Sequence, residues 1–382
     1  AHPSKEIYNI LSTSLTYARS LDDDRRFAHV ALNMGSVCLL SGRLDEAREH
    51  LLACIPVASA VGDELTVAFA EGSFGQTLFY GADFSEAVNC STRAIESMGR
   101  LGSQSSLRIL RTFLSLQHAA IGSFNSSEFL QRSLLEETIR IKQTLMEQVV
   151  RLWTSYRLLL QGDWVGAGMS CDVTVELGAI TQAEYIEGYA RCGKCYALFM
   201  CDPSEIAVQE FQTGLDILGR GGIKLAMSLY HAAGAEIYAL FGLLDCSREH
   251  IQKALECRDR KEYWGEVQAL RALALVEAQS ATPDWALVES TITHSFELAE
   301  NRGQLPDLAI GRFRYGEILQ KNAQFANALE QLSIAEEQFR RLEMAWWADR
   351  AASVGARINR HEHFCGFVPF DVQYVTSEMA NN

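Results

Sequence analysis

Apolar residues along this chain recur at three- and four-residue intervals, in stretches broken by short polar turns, which predicts amphipathic helices joined head to tail. The stretch "HVALNMGSVCLLSGRLDEAREHLLACIPVASAVGD" (29–63) shows the unit: a helical run, the break at Ser41-Gly42, and a second helical run through Leu51 and Leu52. The break recurs at a fixed distance. "SGRLDEA" (41–47) is followed forty residues later by "GADFSEA" (81–87), then by "IGSFNSS" (121–127), "QGDWVGA" (161–167), "CDPSEIA" (201–207) and "FGLLDCS" (241–247). After a one-residue slip come "TPDWALV" (282–288) and "NAQFANA" (322–328).

The fourth place of the frame is large and apolar at Leu44, Phe84, Phe124, Trp164, Leu244, Trp285 and Phe325; Ser204 departs from the pattern. The seventh place is small everywhere except Val288. Twelve positions earlier stand Gly35, Gly75, Ser115, Ser155, Cys195, Ala235, Val276 and Gly316, again small with one exception. A small residue on each of two helices lets their backbones cross closely, and the large residue between them wedges into the turn. The pattern predicts an all-α protein, a right-handed superhelical solenoid of about eight helix-turn-helix repeats. Residues 1–24 hold the second helix of an incomplete preceding repeat, 25–345 the eight-repeat array, 346–360 a capping helix, and 361–382 an irregular tail with Gly366 and Pro369.

Composition narrows the function. Hydrophobic residues make up 48% of the 382, enough for a large core, and only six prolines interrupt the helical pattern. The net charge of -14 repels phosphate backbones and argues against direct contact with nucleic acid. Ten cysteines without a framework spacing read as reduced core residues of a cytoplasmic protein. The most apolar stretch, 225–244, carries His231 and Glu236 in its middle, which suits a buried helix better than a membrane span.

Motifs for chemistry are sparse. "RCGKC" (191–195) aligns Cys192 and Cys195 on one helical face, but no second pair completes a zinc site, and Cys195 occupies a helix-crossing position. "HEHFC" (361–365) clusters two histidines and a cysteine and reads as a polar exit from the last helix. "GRGG" (219–222) lacks the lysine and the strand context of a phosphate loop. Neither an enzyme, a metal nor a cofactor is expected. In a stacked solenoid the first helices line the concave face. The repeat register places there Gln76 and Tyr80, Trp153 and Tyr156, Tyr189 and Tyr196, and Glu236. Aromatic rings with polar tips suit a groove that takes a protein segment, a peptide or a small effector. The groove is short of cations, which excludes a carboxylate clamp.

Helix pairs with this spacing of small residues resemble the tetratricopeptide repeat, whose usual period is about 34 residues. The longer period is similar to the repeat regions of large bacterial signalling proteins that carry STAND-type ATPases. "GIKLAMSLYHAAGAEIYALFGLLDCSREHIQKALECRDRKEYWGEVQALR" (222–271) resembles the late repeats of ATPase-linked class III nucleotide cyclases, and "AEEQFRRLEMAWWADRA" (335–351) resembles the closing helices of those cyclases and of LuxR-type regulators. The resemblance implies a non-enzymatic sensor or interaction arm of a larger signalling protein, with the inducer-binding arm of a LuxR-type activator or a free-standing peptide-binding adaptor as alternatives.

Overall fold

The computed structural model describes residues 5–360, which are helical throughout. After α1 (Lys5–Ser20) the helices alternate. The first helix of each pair, here the A helix, is α2 (Asp24–Leu40), α4 (Glu64–Tyr80), α6 (Gln104–Ala120), α8 (Thr144–Gln161), α10 (Glu184–Cys201), α12 (Met227–Leu240), α14 (Glu266–Glu277), α16 (Leu305–Lys321) and α18 (Ala345–Asn359). The B helices are α3 (Leu44–Ala60), α5 (Phe84–Arg100), α7 (Phe124–Arg140), α9 (Trp164–Thr181), α11 (Glu205–Arg220), α13 (Leu244–Glu256), α15 (Trp285–Arg302) and α17 (Phe325–Arg341). Among the described residues no strand occurs, and no helix is long and apolar enough to cross a membrane.

The repeat register explains how each pair closes. A side chain at Gly35, Gly75 or Gly316 would meet the carbonyl of Ala47, Ala87 or Ala328, twelve residues on, at 3.2–3.3 Å. Where serine replaces the small apolar residue, its hydroxyl uses the same closeness: Ser127 donates to the Ser115 carbonyl and Ser247 to that of Ala235, both at 2.7 Å. The turns end the helices by a common device. At Gly42 the backbone takes φ +70, and the next amide, Arg43, reaches back to the Cys38 carbonyl at 2.9 Å, which satisfies a carbonyl left over at the helix end. Asp23, Asp63, Asp83 and Asp163 then accept from the amides three residues on and start the next helix.

The A helices pack on neighbouring A helices as well as on their own B helices, so they form the inner ring of the superhelix. At α14 that ring is enclosed on both sides: ten of the twelve residues, Glu266–Val276 apart from Leu273, are buried. The cover comes from the superhelix itself. The A-to-B turns of the first half stack on the B-to-A turns of the second half, with partners 182 to 184 positions apart. Gly42 lies against Lys224, Gly122 against Pro306, and Gly162 against Trp346. Between them the Tyr263 amide donates to the Tyr80 carbonyl at 2.9 Å. One superhelical turn therefore takes about four and a half 40-residue units, and a seam joins turn to turn.

The seam leaves two local signatures. The wedge residues Leu44, Phe84, Phe124 and Trp164 are buried beneath it, whereas Leu244 and Trp285, at the same register in the second half, are half-buried. In addition, the sixth pair is reshaped: α13 gives way to a 3-10 turn at Cys257–Arg260, and Gly265 approaches the Ser228 backbone so closely that a β-carbon would stand 2.2 Å from its carbonyl. This bend delivers Trp264 into the first turn.

Candidate functional site

The register-selected residues all lie on A helices, but the wall they form faces the next turn of the superhelix. Tyr80, at the end of α4, and Tyr156, on α8, converge on Trp264, with ring centroids 5.7 and 5.3 Å away; Phe79 meets the same indole at 4.7 Å. Trp264 is fully buried, and its indole N–H points at the shielded Tyr156 hydroxyl and donates to it. Burial pushes both phenols up, helped at Tyr80 by the Glu262 charge and at Tyr156 by that of Asp307. Both tyrosines stay neutral and can donate.

Tyr189, on α10, stacks on Tyr230 at 4.8 Å and 14°, and its hydroxyl donates to the Leu225 carbonyl at 2.6 Å. Trp153 is buried with its indole nitrogen unpartnered, and Gln76 is half-buried on α4. Those two join neither cluster by a described polar contact.

Glu236 and Tyr196 belong to a second centre. Glu236, 1% exposed, accepts from Arg271 at 2.8 Å and from Arg314 at 2.9 Å. Arg271 also reaches Asp307 at 3.3 Å, and Arg314 reaches Glu317 at 2.8 Å. Burial alone would raise the Glu236 pKa, but the two guanidinium charges overcome it and hold the group down at about 2. Asp307, sharing one arginine, stays raised because burial outweighs the single cation. The half-buried Tyr196 lies in the field of Glu236, Arg314 and Arg271, and burial raises its phenol. Removing one partner of such a buried network leaves an uncompensated charge, so the network holds α12, α14 and α16 in one register.

Some polar atoms of the inner wall have no partner among the described residues: both amide atoms of Gln117 and the carbonyl oxygens of Gln268 and Gln304. Trp264, Arg271, Asp307 and Arg314 were not singled out by the groove register. A tryptophan inside the polar linker "RDRKEYWG" (258–265) is the one sequence signal that could have found the first of them.

The wall offers neutral donors and acceptors among aromatic rings, which suits recognition of amide and carbonyl groups. Among the described residues no three His, Cys, Asp or Glu side chains gather as metal ligands. Cys192 and Cys195 are buried, and burial pushes both thiols up, so they pack as neutral side chains. "HEHFC" and the tail at 361–382 lie outside the described residues. On the outer side a shallow depression of about 600 Å³ is lined by Ile251, Leu255, Arg258 and Leu273.

Comparison with known proteins agrees with this architecture. Residues 26–99 match the tetratricopeptide repeat family. The chain is 24% identical over 222 residues to the protein kinesin light chain-related 3 of Arabidopsis thaliana, a match that takes in 55% of this chain and 31% of that relative. It therefore spans about a third of the relative's length. Its fold is similar to that of a Rap protein solved in complex with competence and sporulation factor, with a TM-score of 0.54 at 13% identity over 87% of this chain and 98% of the other.

Proposed function

We propose that this solenoid is a protein-interaction module whose inner wall binds a peptide or an extended protein segment. The observation that carries the reading is the set of buried donors and acceptors on that wall that have no partner within the described residues, at Gln117, Trp153 and Gln268. Each such group costs about 1–3 kcal/mol when left without a partner, and a backbone laid along the wall would satisfy several at once. The wall is closed by the seam, so a segment enters only as the turns separate. Binding and opening are then one equilibrium, and the partner shifts it by its preference for the open state. The Rap protein solved with a bound factor is a precedent for the fold in this role.

The signalling context follows from the resemblance of 222–271 and 335–351 to ATPase-linked cyclases. In that setting the opening of the seam is the signal that an attached domain reads.

A thermal melt against defined peptide and metabolite panels tests the proposal, because a ligand of the folded state raises the melting temperature with concentration. The expected result is a peptide hit that Tyr156→Ala or Tyr196→Ala weakens at least tenfold and that expands the particle in small-angle scattering. A metabolite hit abolished by Trp153→Ala would keep the wall and change the ligand class. A hit insensitive to all three substitutions would remove the inner wall from the account.

A further inference from the structure

The charge network of the inner wall is one cation short, and the place of the shortfall is defined. The charges alternate along a line. Glu317 meets Arg314 at 2.8 Å and Arg314 meets Glu236 at 2.9 Å; Glu236 meets Arg271 at 2.8 Å and Arg271 meets Asp307 at 3.3 Å. The line ends in a carboxylate on both sides, so three carboxylates face two guanidiniums and one negative charge is left over.

The shortfall falls on Asp307. Among the described residues Arg271 is the one cation in contact with it, and Arg271 lies closer to Glu236. Burial outweighs that shared guanidinium and holds the Asp307 carboxyl above its usual range, whereas Glu236, between two guanidiniums, is held down. A buried charge without a full partner is costly. The residues outside the described range do not make it good: neither 1–4 nor 361–382 contains a lysine or an arginine.

Two glutamines mark the same place independently. Gln268, on α14, donates its side-chain amide to Asp307, and Gln304, just before α16, turns its amide nitrogen to the Trp264 carbonyl at 3.3 Å and to Asp307 at 3.5 Å. A carboxylate and a carbonyl only accept, so these contacts fix which end of each amide faces them. Both amide oxygens are thereby left without a donor among the described residues, on side chains only 5% and 0% exposed. Asp307 thus stands with two buried amide oxygens, and the three are acceptors. On the first-turn side lies the Tyr156 ring, whose phenol is in the field of Asp307. Acceptors beside an aromatic ring suit a cation that carries several N–H donors.

We propose that the segment bound by the inner wall carries a lysine or arginine side chain that seats at Asp307, completes the alternating line and donates to the oxygens of Gln268 and Gln304. This deepens the reading of the wall as a peptide site and rests on it. It also supplies the preference that opening requires. With the seam closed, Tyr156 and Trp264 meet beside Asp307 and the carboxylate stays short of a cation; the entering side chain relieves that shortage only where the turns have parted. The net charge of -14 draws a cationic segment from a distance, so its association slows as salt rises.

Two probes test the proposal on the intact chain. The first is a set of capped, fluorescent hexapeptide mixtures, each with one position fixed as Lys, Arg, Gln or Glu and the rest randomised, titrated by anisotropy. At one position Lys or Arg is expected to bind at least tenfold more tightly than Gln, with Glu weaker still. Asp307→Asn is expected to remove that preference and to keep binding of the Gln mixture; it retains the shape of the side chain and removes the surplus charge, and circular dichroism checks its fold. The second probe needs no peptide: n-butylguanidinium in thermal melts, with n-butylurea as its neutral isostere. The guanidinium is expected to raise the melting temperature of the wild type with concentration, beyond the effect of the urea, and to lose that advantage in Asp307→Asn. Peptide binding that shows no preference for Lys or Arg, or a preference that Asp307→Asn retains, overturns the assignment and leaves the peptide reading standing. A butylguanidinium effect lost in Asp307→Asn, with no peptide bound, keeps the cation site and removes the peptide reading. Silence from both probes overturns both.

Discussion

Replacing Trp264 by alanine separates a seam that organises the whole molecule from a set of local contacts. The indole is fully buried between Phe79, Tyr80 and Tyr156 of the first turn. Burying about 200–250 Å² at about 25 cal/mol per Å² gives about 5–6 kcal/mol. The alanine methyl that remains keeps about 1 kcal/mol of that burial. The expected loss is therefore about 4 kcal/mol, within the range of about 3–5 kcal/mol for large aromatic deletions. Phe211→Ala is the control: that ring is equally buried, but it packs locally against Tyr238 and His250. Urea unfolding is expected to show both losses. Only Trp264→Ala is expected to enlarge the radius of gyration at unchanged helicity and to split unfolding into two transitions, as the two halves lose their coupling. A Trp264→Ala protein as compact as wild type, or destabilised by less than about 1 kcal/mol, would refute the reasoning.

Two further perturbations probe the buried polar groups. Glu236→Gln removes the carboxylate shared by Arg271 and Arg314 and is expected to cost about 3–5 kcal/mol in urea unfolding, because both guanidiniums stay buried; a loss below about 1 kcal/mol would mean that the network is solvated. Acid titrates a different place first. His231 and His250 face each other at 3.0 Å, against Tyr238 and Phe211, with Lys253 and Arg260 adding positive charge and Glu249 opposing it. Burial above all, then these neighbouring cations and, for His231, its partner ring, lower their pKa values to about 3 and about 4. Both are depressed below the unfolded value, so the stability they contribute is full above about pH 6.5 and falls as the pH drops towards 4, a loss of about 2 kcal/mol per histidine by pH 5. The Glu236 contribution persists through that window and is lost only between about pH 4.5 and 2. Urea midpoints measured from pH 7.5 to 4.5 for wild type and His231→Phe check the sign: the variant is expected to show the shallower decline.

Much of the fold was legible because its rules are local. The small residues at Gly35 and Ala47 stand twelve positions apart in one helix pair, and the crossing they permit repeats with the period. The wedge at Phe84 and the break at Gly42 are likewise properties of one turn. The seam obeys no such rule. It pairs Tyr80 with Tyr263 and Gly162 with Trp346, residues with no common pattern and a separation set by the pitch accumulated over four and a half units. For that reason the register brought Tyr80, Tyr156 and Glu236 to the inner wall without revealing that the wall is covered. The charge network was hidden for the same cause: Glu236 meets Arg314 across 78 positions, and only the superhelix brings them together.

The central claim is that the two turns touch. Spin labels at Leu40 and Lys224, both exposed and flanking the Gly42 contact, report on it in a background where the exposed Cys246 is replaced by serine. The account predicts strong dipolar broadening in the wild-type chain, lost in Trp264→Ala. Spectra free of dipolar coupling in the otherwise wild-type chain would contradict it, since they would mean an open solenoid whose inner wall faces solvent.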